Sequence, residues 1–246
     1  MQSDLESIIN EYLGRRSGDQ SLRCEVRSAD PWHFDVGFSL ADGEVCRIRN
    51  PRPGDEAALH EFADQLGPQS KWLFCPFPWG DSQEELTASF GRAIQRTVSR
   101  ARAAYLLFHR VRSIGYFYLT SLGEPSDVQR PDPWVPELGI GIADAYHGRG
   151  LGGLAVRLLQ AVGRELGVDA IELTTHPENV AGYRTYLGAG FEQVGMLRID
   201  APASMSAADT VDPQRDERHM VYVINAAKRT AVLEHLARQR AEALQT

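Results

Sequence analysis

Near the middle of the chain, the stretch Gly148-Arg149-Gly150-Leu151-Gly152-Gly153 sets four glycines directly ahead of the apolar, helix-patterned run "LAVRLL". A helix whose first turn is almost free of side chains presents bare backbone N–H groups, and the positive end of its dipole, to one anionic group. A pyrophosphate fits that description. Arg149 adds a mobile cation beside it, as phosphate recognition commonly requires. The plain alternative is a glycine-rich helix start with no ligand, but glycine there costs stability relative to alanine.

Two known phosphate loops can be tested against these residues. A Walker loop fails, because no Lys-Ser or Lys-Thr follows the glycines. Gly148, Gly150 and Gly153 do satisfy the dinucleotide pattern G-x-G-x-x-G, and Glu172 falls about where a ribose-binding acid is expected. However, "ADAYH" separates these glycines from the strand core, and the chain before them reads as antiparallel strands, unlike the early parallel unit of a Rossmann fold. That oxidoreductase reading stands third, behind the two developed below.

The loop must be held by the elements around it. "PELGIGIADAY" reads as a strand, Gly150 to Leu166 as a helix ended by Gly167, "DAIELTT" as a second strand and "PENVAGYRTYLGAG" as a short helix. Upstream, "AAYLLFHRV" and "SIGYFYLTSL" form a hairpin around Arg112-Ser113. A helix from Ser82 to Arg102 opens on a capping box of Ser82 and Glu85. Another helix begins near Asp55, buries Ala58, Leu59, Phe62 and Leu66, and stops at Gly67-Pro68. Downstream, "FEQVGMLRID" and "RHMVYVIN" read as strands joined by a loop from Ala201 to Glu217. The expected fold is a mixed α/β sheet. Residues 1–44 read as an extension with an amphipathic helix (Leu5, Ile8, Ile9 and Leu13 on one face) and two or three strands. Residues 227–246 read as a C-terminal surface helix with Val232, Leu233, Leu236 and Leu244 on its apolar side.

Composition narrows the function classes. With 246 residues, 43% of them hydrophobic, the chain can bury a sizeable core. A net charge of -7 argues against a nucleic-acid partner, which needs a basic surface. No uncharged run approaches the ~20 residues that span a bilayer, and no basic segment precedes an apolar one at the start, so a cytoplasmic protein without membrane contact is expected. Cys24, Cys46 and Cys75 are widely spaced, with no C-x-x-C pair; buried reduced thiols and no metal are expected.

From Glu137 to Phe191 the chain resembles the GNAT superfamily of N-acetyltransferases. That family's pyrophosphate loop reads R/Q-x-x-G-x-G/A after an "ELGxxV" strand. Here "ELGIGIADAYHGRGLGG" puts Gly150 and Gly152 on the two small positions, Ile142 at the strand end, and His147 where Arg or Gln is usual. The second signature, N-x-x-A-x-x-x-Y-x-x-x-G-F, is matched by "NVAGYRTYLGAGF", with Asn179, Tyr186, Gly190 and Phe191 in register and alanine one place early at Ala181. The resemblance covers residues 45–226 in element order. It implies a GNAT-like, mostly antiparallel central sheet with flanking helices, acetyl-CoA as donor and an amine acceptor from a small molecule or peptide. It also implies that pantetheine lies between two splayed strands, here Leu138 to Ala143 and Ala170 to Thr175.

Roles follow from that placement. N–H groups around Ile140 to Ile142 would contact pantetheine or polarise the thioester carbonyl, and His147, Gly148, Arg149, Gly150, Leu151, Gly152 and Gly153 would hold the pyrophosphate. Tyr186, protonated at neutral pH, would give its proton to the leaving thiolate, with Tyr183 as competitor. Glu137 is the candidate base, and His176 could serve instead; an exposed strand-end carboxylate and a structural turn histidine are the alternatives. Asn179 would orient the pantetheine amides or cap its own helix. The aromatic loop "KWLFCPFPWGD" suggests an acceptor wall of Trp72, Phe74, Phe77 and Trp79, with core packing as the alternative. Asp209, Asp212, Asp216 and Glu217 in the facing loop favour a cationic amine. An acyl-CoA-binding module without turnover remains the second reading, and the terminal extensions offer surface for a homodimer.

Overall fold

The computed structural model describes residues 1–17, 24–39, 43–122, 130–200 and 214–244. Among these, nine strands form one sheet: β1 (Cys24–Ser28), β2 (Asp35–Ser39), β3 (Val45–Arg49), β4 (Ala103–His109), β5 (Arg112–Thr120), β6 (Glu137–Ile142), β7 (Ala170–Thr175), β8 (Glu192–Asp200) and β9 (Gln214–Val223). Their spatial order is β1-β2-β3-β4-β5-β6-β7-β9-β8. Neighbours are antiparallel except β6 and β7, which run parallel and meet in register only at Glu137 and Glu172. The sheet is mixed and mostly antiparallel, as expected, and the doubly wound parallel sheet of a dinucleotide fold is absent from the described residues.

Helical spacing of apolar residues decides which faces are covered. On one face α5 (Leu151–Leu166) buries Leu154, Leu158 and Leu159 against Ile171, Leu173 and Met220. The helix α1 (Gln2–Ser17) adds Leu5 and Ile9 to that same core. Each such residue contributes roughly 1.5–3 kcal/mol through burial. Because β1 and β2 continue the sheet through β3, the N-terminal segment shares the central core. On the other face α2 (Glu56–Ala63) and α4 (Gln83–Val98) bury Leu59, Phe62, Phe90 and Ile94 against Leu106 and Tyr116. The remaining helices are α3 (Pro68–Leu73), α6 (Val180–Gly188) and α7 (Arg229–Ala243). The last seats Val232 and Leu236 on Ala170 and Val221, over the same face as α2 and α4.

Local physics explains both agreements and departures. The Ser82–Glu85 capping box is formed, with Ser82 N–H donating to Glu85 Oε2 at 3.1 Å and Glu85 N–H to Ser82 Oγ at 3.3 Å. Its helix ends at Val98 rather than Arg102, because Arg100 turns left-handed (φ 65°) and redirects the chain into β4. Gly67-Pro68 does not merely stop a helix: Pro68 occupies the first position of α3, where its missing N–H costs nothing. The expected loop to Glu217 is shorter, since β9 already begins at Gln214 and takes in Arg215, Asp216 and Glu217. Asp209 and Asp212 lie outside the described residues, as does the Leu13 side chain. Leu244 follows the end of α7 and is exposed, so it adds nothing to that helix's apolar side. Cys46 is buried as expected, whereas Cys24 and Cys75 are only half-buried.

Candidate active site

The end of β6 sets the backbone geometry of the glycine loop. Ala143 N–H donates to Ile114 O on β5 at 2.8 Å, so strand alternation turns the N–H groups of Ile142 and Ile140 the opposite way, toward β7. There β7 has already parted: its backbone holds to the segment ahead of β6, with Glu172 N–H donating to Pro136 O at 3.0 Å and Ala170 N–H to Trp134 O at 3.4 Å, and it pairs in register with β6 at Glu137. The gap therefore exposes a strip of β6 backbone. His147 Nε2 lies 2.8 Å from Ile142 O, folding the loop back onto the strand end.

Gly148 and Gly150 have φ of 72° and 76°, a conformation that a Cβ disfavours. Gly152 and Gly153 are glycines for another reason. A Cβ at Gly152 would meet nothing within 4 Å, and one at Gly153 only a Thr185 methyl at 3.8 Å. The space before the first turn of α5 is thus open, a cradle that side chains would fill. Leu151 is buried and anchors the helix start, while the Arg149 guanidinium sits 5.0 Å from the Tyr146 ring at the exposed rim.

A cavity of about 620 Å³ continues from this cradle along the gap. Tyr186 on α6 lines it, packed by Phe191 with ring centroids 5.9 Å apart. Burial and the Glu217 carboxylate push its hydroxyl up to about 12, and among the described residues no group hydrogen-bonds it. Tyr183 is turned away: its hydroxyl donates to Gln193 Oε1 at 3.2 Å, and Arg218 stacks on its ring at 4.4 Å. Asn179 combines both expected positions. Its Oδ1 caps α6 through Gly182 N–H at 3.0 Å, its Nδ2 donates to Thr175 Oγ1 at 3.0 Å, and it lines the cavity.

Glu137 lies at the opposite end of the gap. Water reaches its carboxyl through the cavity, but the surrounding protein strips most of its solvation. That desolvation, with the nearby carboxylates of Glu172 and Glu217 and against the Arg102 guanidinium, pushes it up to about 7. Of the four aromatic residues expected to form the acceptor wall, only Phe74 lines the cavity, packed closely over Gly141. Phe77 is buried against Phe90 and Tyr116, and Trp79 joins that core with its Nε1–H donating to Phe74 O at 2.7 Å. Trp72 meets His176 edge-on at 4.1 Å. Burial and the Arg215 guanidinium hold His176 below its ordinary value, and neither ring lines the cavity.

Residues 46–192, more than half of the chain, match the family model of the GNAT acetyltransferase domain. This chain belongs to the GNAT acetyltransferase family. A search among curated proteins found no match. Among solved structures, similar folds include the GNAT domain of S. lividans PAT, at TM-score 0.54 and 19% identity over 78% of this chain and 97% of that one. RimL, a ribosomal L7/L12 alpha-N-protein acetyltransferase solved with coenzyme A, aligns at TM-score 0.58 and 15% identity, covering 74% of this chain and 95% of its own. A ribosomal-protein-S5-alanine acetyltransferase from Vibrio fischeri aligns at TM-score 0.57 and 10% identity, covering 74% and 94%. At these identities the likeness is one of fold.

Several cavity residues of this GNAT domain were not singled out as site residues from the sequence. Tyr118 on β5 lies across from Gly139, so closely that a Cβ there would collide with its ring. Arg215 on β9 donates to Trp72 O at 2.9 Å and is ion-paired with buried Glu217. Arg215, Glu217 and His219 recur with period two, which places all three on one face of β9. That alternation was the available signal. No group of three or more His, Cys, Asp or Glu suited to a metal occurs among the described residues, and no helix among them is long and apolar enough to cross a membrane.

Proposed function

We propose that this GNAT protein transfers an acetyl group from acetyl-CoA to the amine of a small molecule or peptide by direct attack on the thioester. One observation carries the reading: the gap between β6 and β7 leads from the open glycine cradle to Glu137 without interruption, with Tyr186 on its wall. The pyrophosphate would rest on the N–H groups of Gly150, Gly152 and Gly153, within reach of Arg149 at the rim. The β6 edge at Ile140 and Ile142 would pair with pantetheine like an added strand and polarise the thioester carbonyl.

The acceptor enters beside Phe74, Tyr118, Glu137 and Glu217, an aromatic and acidic surround that suits a cationic amine. Glu137 takes one proton from the cationic amine, which frees the nitrogen lone pair to attack the thioester carbon; the second nitrogen proton leaves to solvent once the N–C bond has formed. As the C–S bond breaks, the Tyr186 hydroxyl donates a hydrogen bond to the departing sulfur. With a hydroxyl value near 12 against ~8.5 for a thiol, full proton transfer is uphill by roughly 5 kcal/mol. Tyr186 therefore stabilises a thiolate that takes its proton finally from solvent. Several neighbours in fold are named for acetylating ribosomal proteins, which makes peptide amines a sensible first acceptor panel.

The test is thermal melting with acetyl-CoA, coenzyme A and NAD, followed by thiol release across a panel of amines. A rise in melting temperature with both CoA ligands and acceptor-dependent thiol release support the proposal. A rise without release under any acceptor leaves the acyl-CoA-binding module. No rise with either CoA ligand refutes both.

A further inference from the structure

Glu137 is one end of a row of polar side chains that crosses the sheet to the C-terminal helix. In-register pairing sets Glu172 of β7 beside Glu137, on the same sheet face. Glu172 Oε2 lies 2.8 Å from Nε2 of His219, a fully buried residue of β9. From α7, Gln239 Nε2 donates to Glu172 Oε1 at 3.2 Å, although this leaves Gln239 Oε1 buried without a partner among the described residues. Arg240 Nη1 lies 3.3 Å from His219 Nδ1.

Hydrogen-bond direction follows from chemistry alone. A guanidinium only donates, so His219 Nδ1 accepts and its Nε2 carries the proton. That proton points at Glu172, and an amide N–H points at the carboxylate's other oxygen. Both oxygens of Glu172 accept, which is the pattern of an ionised carboxylate. His219 comes from β9 of the central sheet, whereas Gln239 and Arg240 come from α7, so the C-terminal helix completes the arrangement.

We propose that α7 extends the acceptor site across the sheet: Arg240 fixes the His219 tautomer, His219 and Gln239 hold both carboxylate oxygens of Glu172, and Glu172, in register with Glu137, acts as a positioning residue that sets how readily Glu137 takes the acceptor's proton. This rests on the reading of Glu137 as the acceptor's base. The groups facing Glu137 are Glu172 from β7, Glu217 from β9, Tyr118 from β5, and Arg102 from the turn before β4; Cys75 lines the same cavity near Tyr118. Glu217 is ion-paired with Arg215, and Arg102 is shared with Thr120 and the Tyr118 ring, so Glu172, in register with Glu137, is the stronger of the two carboxylate influences on it.

The test follows the Glu137 carboxyl by carbon-13 NMR in glutamate-labelled protein, the resonance being assigned by its loss in Glu137→Gln. Glu172→Gln should move its midpoint down by about one to two pH units, and Glu172→Asp should hold it near the wild-type position. The low-pH limb of kcat/KM should move with it. An unmoved midpoint in Glu172→Gln overturns the proposal. Should that variant fail to fold, Gln239→Met removes one donor from Glu172, and a smaller downward displacement is expected; none overturns the proposal. Full turnover by Glu137→Gln refutes instead the reading of Glu137 as base, and the NMR midpoint separates the two failures.

Discussion

Replacing Tyr186 by Phe removes one oxygen and keeps the ring that packs on Phe191. Because no group among the described residues hydrogen-bonds that hydroxyl, folding loses no bond, and the melting temperature should stay within about 2 °C of wild type. The lost interaction exists only as negative charge develops on the departing sulfur. A hydrogen bond to a charged group contributes about 1.5–3 kcal/mol, so kcat should fall about 10- to 150-fold. A full general-acid role would remove about 10²–10⁴-fold, and the raised value of about 12 argues for the smaller figure. KM for acetyl-CoA should stay unchanged, since ground-state binding does not use the bond. Initial rates of thiol release at saturating acceptor measure kcat directly. A kcat within threefold of wild type would refute the role. A proportional loss in Tyr183→Phe, whose hydroxyl faces Gln193, would refute the choice between the two tyrosines.

Other substitutions probe the same geometry. Gly152→Ala should stabilise the fold by about 0.5–1 kcal/mol, since its Cβ meets nothing and the position is helical, yet diminish the melting shift produced by acetyl-CoA; an undiminished shift would show that the cradle holds no ligand. The Glu137 carboxyl binds its proton more tightly folded than unfolded, so its contribution to stability is present below about pH 4.5 and lost as pH rises through about 7. Melting curves of Glu137→Gln should therefore match wild type at pH 4 and lie above it at pH 8. Burial alone would raise Asp169, but the Trp134 N–H, Asn225 and Lys228 together hold it below the usual carboxylate range. Asp169→Ala should cost about 2–4 kcal/mol in urea unfolding, with the difference shrinking in acid as wild-type Asp169 is protonated. Asn179→Ala should lose about 1 kcal/mol of helix capping by the same assay, and an intact stability would mean that the cap at Gly182 is replaced by water.

What the sequence disclosed divides along the length scale of each interaction. The glycine loop was legible because its chemistry is local: positive φ at Gly148 and Gly150 and bare N–H groups at a helix start depend on neighbours only a few residues away. Asn179 and Tyr186 could be singled out through the resemblance of "NVAGYRTYLGAGF" to a family signature, and the fold sets both on the cavity wall. The aromatic wall was not. In "FCPFPW" every ring is a candidate for either core or cavity, and the outcome depends on Pro68 starting an extra helix and on Phe90 and Tyr116 lying within reach of Phe77. Arg215 and Glu217 show the same limit from the other side. Their alternation could be read, but the partner at Trp72 O is 143 positions away.

One topological feature connects these long-range pieces. A parallel pair that meets only at Glu137 and Glu172 has two consequences at once. Beyond the contact the strands part, which frees the β6 edge at Ile140 and Ile142 for a ligand. At the contact, two carboxylates share a pleat on the face that α7 covers. His219 and Gln239 supply hydrogen bonds to Glu172, while desolvation and the neighbouring Glu172 carboxylate make Glu137 hold its proton more tightly than a free carboxyl. A variant that lengthened the β6–β7 pairing would therefore disturb both donor binding and the pH dependence of turnover, whereas a change confined to Arg240 or Gln239 would leave donor binding intact. This separation follows from where the strands part, and from no single residue of the site.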